Sequence, residues 1–181
     1  MAGVTDVSVR VAWAEDAAAI AALQLRAWPR RYAGLLPADV FPSGPGALSD
    51  AAASWRQALV RPADARQRAL VALAGATVVG LAVTGPAVDP DRDPVAVGLL
   101  DELVIDPERL GEGHGSRLLQ AAVDTLVADR FSRAVTWLPA SDDALRRFLL
   151  DAGWAPDGAH RELEAAAGVR LKEVRLHTAL A

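Results

Sequence analysis

One stretch limits the fold more than any other: Leu99–Asp129, LLDELVIDPERLGEGHGSRLLQAAVDTLVAD. It reads as a short apolar strand over Leu99–Ile105, a break at Pro107, a turn with glycine at every second position, and a long amphipathic helix. Glycine tolerates positive φ and lets a ligand approach bare backbone. A helix that starts in such a turn points its unpaired N–H groups and positive dipole end into the space before it. Strand, turn and helix start therefore predict an anion cradle over Leu110, Gly111, Glu112, Gly113, His114, Gly115 and Ser116, suited to phosphate or pyrophosphate. Two common phosphate motifs do not fit. A P-loop needs Gly-Lys-Ser/Thr, and the chain's only lysine is Lys172. The dinucleotide fingerprint fails because the third glycine comes one residue early, which disfavours a nucleotide-binding oxidoreductase.

Around this stretch the pattern alternates helix and strand. Val7, Val9 and Val11 alternate as a first strand over Val7–Ala12. A helix over Ala17–Ala27, capped by Asp16, is expected to stop at Pro29, and a second helix spans Ala47–Arg61 with Trp55, Leu59 and Val60 inward. Ala69–Leu73 and Thr77–Thr84 form a hairpin, and Val95–Ile105 is a central strand. The helix over Gly115–Asp129 is followed by a strand over Ala134–Leu138. A further helix, Asp142–Ala152, has Ser141 as its N-cap, buries Leu145, Phe148, Leu149 and Ala152, and stops at Gly153. Two alternating strands, Ala159–Ala165 and Leu171–Thr178, close the chain around Ala166–Gly168. No repeat or linker interrupts this order, so the 181 residues read as one domain.

Charge and composition remove several classes of function. Net charge is −4 and the pI about 5.3, so no basic face for nucleic acid is expected. No apolar run is long enough to span a membrane, and the N-terminus lacks signal-peptide order. There is no cysteine, which excludes disulfides, thiolate metal sites and a cysteine nucleophile. His114, His160 and His177 lack metal-ligand spacing, so no metal is expected. A cytoplasmic protein is the default, with a homodimer through the terminal strands as one possible assembly.

Pro107–Leu119, PERLGEGHGSRLL, resembles the acyl-CoA-binding segment of the GNAT superfamily N-acetyltransferases, Gln/Arg-x-x-Gly-x-Gly/Ala. Gly113 and Gly115 match its glycines, whereas Leu110 stands at the Gln/Arg position with Arg109 beside it. Glu112 is a second departure, expected to weaken pyrophosphate binding by ~1 kcal/mol unless Arg109 and Arg117 offset it. Phe148–Gly158, FLLDAGWAPDG, is similar to a second family landmark through Phe148, Gly153 and Trp154. There Asp142 replaces an Asn near the pantetheine, and Leu149 replaces the Tyr that commonly protonates the departing thiolate.

The resemblance implies an α/β (α+β) fold, a single GNAT-like domain with a mixed, mostly antiparallel six- to seven-stranded sheet flanked by about four helices. It implies acetyl-CoA as co-substrate, held by Leu103, Val104 and Ile105 on the strand, by the cradle with Arg109, and by Asp142 and Phe148. It also implies direct transfer to a primary amine of a small molecule or peptide, with Trp28 and Tyr32 flanking the acceptor. Glu102 or Asp101 is the candidate base, since apolar neighbours raise a carboxyl pKa. Strand alternation sends these two to opposite faces, so at most one enters the cleft; the structural alternative is a surface carboxylate or a pair with Arg. His114 is expected to face solvent or the phosphates, Asp157 and Arg161 to be turn and strand-surface residues, and Trp137 to belong to the core. The departures at Leu149, Leu110 and Glu112 leave a non-catalytic acyl-CoA-binding or sensing protein as the alternative.

Overall fold

The computed structural model describes residues 6–165 and 168–181. Seven strands form one sheet in the order β1-β2-β3-β4-β5-β7-β6, comprising β1 (Val7–Val11), β2 (Arg68–Ala74), β3 (Thr77–Pro86), β4 (Val97–Ile105), β5 (Arg133–Pro139), β6 (Ala155–Glu164) and β7 (Arg170–Ala179). Every pairing is antiparallel except β4 with β5. The four α-helices among the described residues are α1 (Ala17–Arg31), α2 (Ala47–Val60), α3 (His114–Ala128) and α4 (Asp143–Asp151). The expected mixed, mostly antiparallel sheet is therefore found. The Ala166–Gly168 turn expected between the last strands lies largely outside the described residues.

Each sheet face has its own core. On one face Leu118, Leu119, Ala122 and Leu126 of α3 pack on Leu70, Ala82 and Leu100. On the other, Ile20, Leu23 and Ala27 of α1 pack on Val71, Leu81 and Val104. Apolar side chains recur at three- and four-residue spacing along both helices, which is why each buries a single stripe. Among the described residues no helix is long and apolar enough to cross a membrane.

Several local expectations are corrected. Helix α1 runs through Pro29 to Arg31. The proline removes one backbone bond, but Tyr32 N–H still donates to Trp28 C=O at 2.9 Å, and Arg31 is anchored on β4. Val60 faces solvent, because α2 lies flat on the molecule and buries no residue fully. The N-cap of α4 is Asp142, whose side chain accepts from Leu145 N–H at 3.0 Å, in place of Ser141. Ala152 is exposed because it follows the last turn of α4. Val11 is also largely exposed, at the end of an edge strand.

Candidate functional site

The site begins where β4 and β5 part. Their ladder pairs only Val97–Leu99 with Arg133–Val135, and Thr136 Oγ1 closes it by donating to Leu100 C=O at 2.8 Å. Past this point the backbone of β4 faces an opening. Arg31 Nη1 reaches across from α1 and donates to Leu103 C=O at 3.2 Å, a bond that a neighbouring strand would otherwise supply.

A cavity of about 560 Å³ occupies the opening. Leu103, Val104 and Ile105 form one wall, and Ala144, Leu145 and Phe148 of α4 form another. One end is the glycine turn, where Gly111 and Gly113 both hold φ +80°, a conformation that side chains rarely adopt. No side chain caps α3 at Gly113, so its first N–H groups remain available to a ligand. Arg109, Leu110, Gly115, Ser116 and Asp142 also line the space.

Two cradle residues stand elsewhere. His114 is 3% exposed rather than solvent-facing, and it does not line the cavity. Glu112 does not line the cavity, and its carboxylate lies 2.8 Å from Arg109 Nε and 3.2 Å from His114 Nε2. The Arg109 hydrogen bond holds Glu112 below the usual carboxylate range, so the expected penalty on an anion is met locally. Sequence reading missed Arg30 and Arg31, which line the cavity from α1. Their only signal in the sequence is a pair of arginines directly after Pro29, where the helix is expected to stop.

A second cavity, about 220 Å³, lies beyond Arg31, which lines both. Trp28 and Tyr32 border it. Asp101 and Glu102 both line it, contrary to simple alternation. The register of β3 against β4 slips between Val83–Glu102 and Thr84–Leu100, leaving Asp101 as an extra residue. The packing shows the same phase change: Leu99 and Val104, an odd number of residues apart, both lie opposite α3, whereas Leu100 packs against it.

Glu102 is gripped by neutral donors, Trp28 Nε1 at 2.7 Å and Gln24 Nε2 at 2.8 Å. Burial raises its pKa above the ordinary 4.5, and these hydrogen bonds only partly oppose the shift. Desolvation by the cleft walls also raises the pKa of Asp101, with Arg161 in opposition. Burial likewise raises the Tyr32 hydroxyl, leaving it protonated. Arg161 is no mere surface residue: it pairs with Glu173 at 2.6 Å and lies 4.2 Å over the Trp137 ring. Trp137 packs against the cluster of Val97, Leu99 and Val135 and also lines the cavity, and Asp157 joins an ion-pair cluster with Arg92 and Arg175. Leu149, where the resemblance implies a proton donor, is 1% exposed within the α3-side core.

Residues 17–154 match the model of the acetyltransferase (GNAT) family. No curated protein sequence matches the chain. Solved structures do so by fold. A ribosomal-protein-S5-alanine acetyltransferase from Vibrio fischeri shares 17% identity at a TM-score of 0.72, covering 96% of this chain and 93% of that one. The PaiA N-acetyltransferase from Thermoplasma acidophilum, in complex with coenzyme A, shares 14% identity at 0.70, with 96% and 99% covered. A Salmonella typhimurium protein solved with its cofactor acetyl-CoA shares 18% identity at 0.69, with 97% and 95% covered.

Proposed function

The chain belongs to the GNAT acetyltransferase family, and from that premise we propose that it transfers an acetyl group from acetyl-CoA to a primary amine of a small molecule or peptide. One observation carries the reading: a cavity ending in an uncapped, glycine-built helix start meets a second cavity bearing two carboxylates, and Arg31 lines both. The first cavity fits acetyl-CoA. Its N–H groups at α3 suit the pyrophosphate, Arg30 adds positive charge, and the apolar walls suit the pantetheine arm.

When bound, acetyl-CoA supplies a thioester carbon that accepts the amine nitrogen, the C–N bond forming as the C–S bond breaks. Glu102 removes a proton from the incoming ammonium, a task that its raised pKa favours. Asp101 holds the ammonium beside it. Leu103 N–H, on the same side of β4 as the C=O that Arg31 reaches, donates to the acetyl oxygen. Tyr32, protonated at neutral pH and bordering the second cavity, is the hydroxyl available to return a proton to the thiolate, since Leu149 has none. The buried Leu149 also favours a second reading, a GNAT-fold protein that binds acyl-CoA without turnover.

Calorimetric titration with acetyl-CoA, with NADH and ATP as controls, tests the first step. Micromolar binding of acetyl-CoA alone is expected, and equal or absent binding would reject the cradle. CoA release with a panel of amines, followed by a thiol reagent, then separates enzyme from sensor.

A further inference from the structure

Beyond Asp101 a third cavity of about 530 Å³ runs along the end of β3 and the loop that leads to β4. Val88, Leu99 and Asp101 line both this cavity and the second one, so the two adjoin. Its apolar wall consists of Val83, Pro86, Ala87, Val88, Pro94 and Leu99. The polar residues beside them are engaged in part, since Thr84 Oγ1, Asp89 Oδ2 and Arg92 Nε are buried without a partner. Asp89 accepts from Trp137 Nε1 at 2.8 Å and lies 3.3 Å from Arg175. Arg92 donates to Asp157 at 2.6 Å, Asp64 accepts from Arg66 N–H, and Gln67 Oε1 accepts from Ala63 N–H. An occupant therefore meets mainly hydrocarbon, with the carboxylate of Asp101 at the junction.

The wall is held rigidly. Arg175, whose side chain is 3% exposed, binds Asp91 through two nitrogens at 2.6 and 2.8 Å and Asp157 at 2.8 Å. Through these pairs and Arg92–Asp157, the β3–β4 loop is tied to β6 and β7. A preformed wall costs little ordering when a ligand binds.

We infer that the third cavity is a second compartment of the acceptor site, and that the acceptor is an amphipathic primary amine: an ammonium group at Asp101 joined to an extended apolar body along the Val83–Val88 wall. The inference rests on the acetyltransferase reading above. A diamine or polyamine of similar length would set its distal charge against the apolar wall, where the carboxylates of Asp64 and Asp89 already lie beside Arg66 and Arg175.

The test is the n-alkylamine series from ethylamine to octylamine, with 2-phenylethylamine, putrescine and spermidine as comparators, assayed by CoA release. The expected result is a kcat/KM that rises by up to about 4-fold per added methylene until the compartment fills, with putrescine below butylamine. Val88→Asp, at a position 79% exposed in the unliganded fold, is expected to flatten the rise. A kcat/KM independent of chain length, or a preference for putrescine or spermidine, overturns the inference. Calorimetry of ethylamine and octylamine with the CoA-bound protein separates the two claims. Tighter octylamine binding without turnover keeps the compartment and rejects the transferase. Binding that ignores chain length rejects the compartment whatever the turnover.

Discussion

Glu102→Gln isolates the proposed base while preserving the shape of the side chain. In the native site Glu102 Oε1 accepts from Trp28 and Oε2 from Gln24, while Gln24 Oε1 accepts from Trp55 Nε1. The new amide sets an NH₂ against one of these donors, and Gln24 cannot turn its own amide without losing Trp55. One hydrogen bond to a charged group is lost, worth about 1.5–3 kcal/mol. Removing a buried charge acts in the opposite direction. Burial holds the pKa of Glu102 above 4.5, so its contribution to stability is present below that value and is lost as pH rises through the folded pKa. The two effects are of similar size, so a net change within about 1 kcal/mol is expected. Catalysis is far more sensitive. Loss of a general base lowers kcat/KM by roughly 10²–10⁴-fold, or about 2.7–5.4 kcal/mol of activation free energy. CoA release reports this cleanly, because the protein has no cysteine to react with the thiol reagent. Wild-type kcat/KM is expected to show an acid limb above pH 4.5 that the variant lacks, with acetyl-CoA affinity unchanged. Turnover within about 3-fold of wild type would refute the argument and leave Glu102 a structural acceptor for Trp28 and Gln24.

Other perturbations test the remaining parts. Gly113→Glu forces a side chain into φ +80°, with its Cβ 3.1 Å from Arg117 Nη1, and adds a carboxylate at the cradle. Acetyl-CoA affinity should fall by at least about 100-fold, or roughly 2.7 kcal/mol, and an unchanged affinity in the folded variant would disprove the cradle. Arg175→Ala removes the cation shared by Asp91 and Asp157, of which Asp91 is exposed and Asp157 keeps Arg92 at 2.6 Å. Denaturant unfolding should show a lower midpoint than wild type, and an unchanged midpoint would mean that the loop is held by other means. Acid should act through the same cluster: the Arg175 hydrogen bond holds Asp91 at about 2, and Asp157 is also lowered. Their stabilisation is present above the ordinary 3.8 and is lost as pH falls toward about 2, so the unfolding midpoint should drop over that window in wild type and much less in Arg175→Ala.

The local sequence alone determined the cradle. Gly111 and Gly113 at positive φ, the break at Pro107 and the apolar stripe of α3 are consequences of neighbouring residues, and they read correctly from periodicity and glycine spacing. The succession of helices and strands along the chain and both helix stripes were legible for the same reason. Long-range contacts decided the rest. Asp101 and Glu102 share a cavity because β4 carries an extra residue against β3, and a bulge is a property of two strands that one strand's alternation does not reveal. Arg31 stands between two cavities because α1 crosses the parted strands, an arrangement that only the packing of α1 on β4 fixes. Arg175, on the last strand, finds Asp91 more than eighty positions away. Sequence spacing carries turns and stripes, whereas the meeting of distant charges is set by how the sheet and its loops close in space.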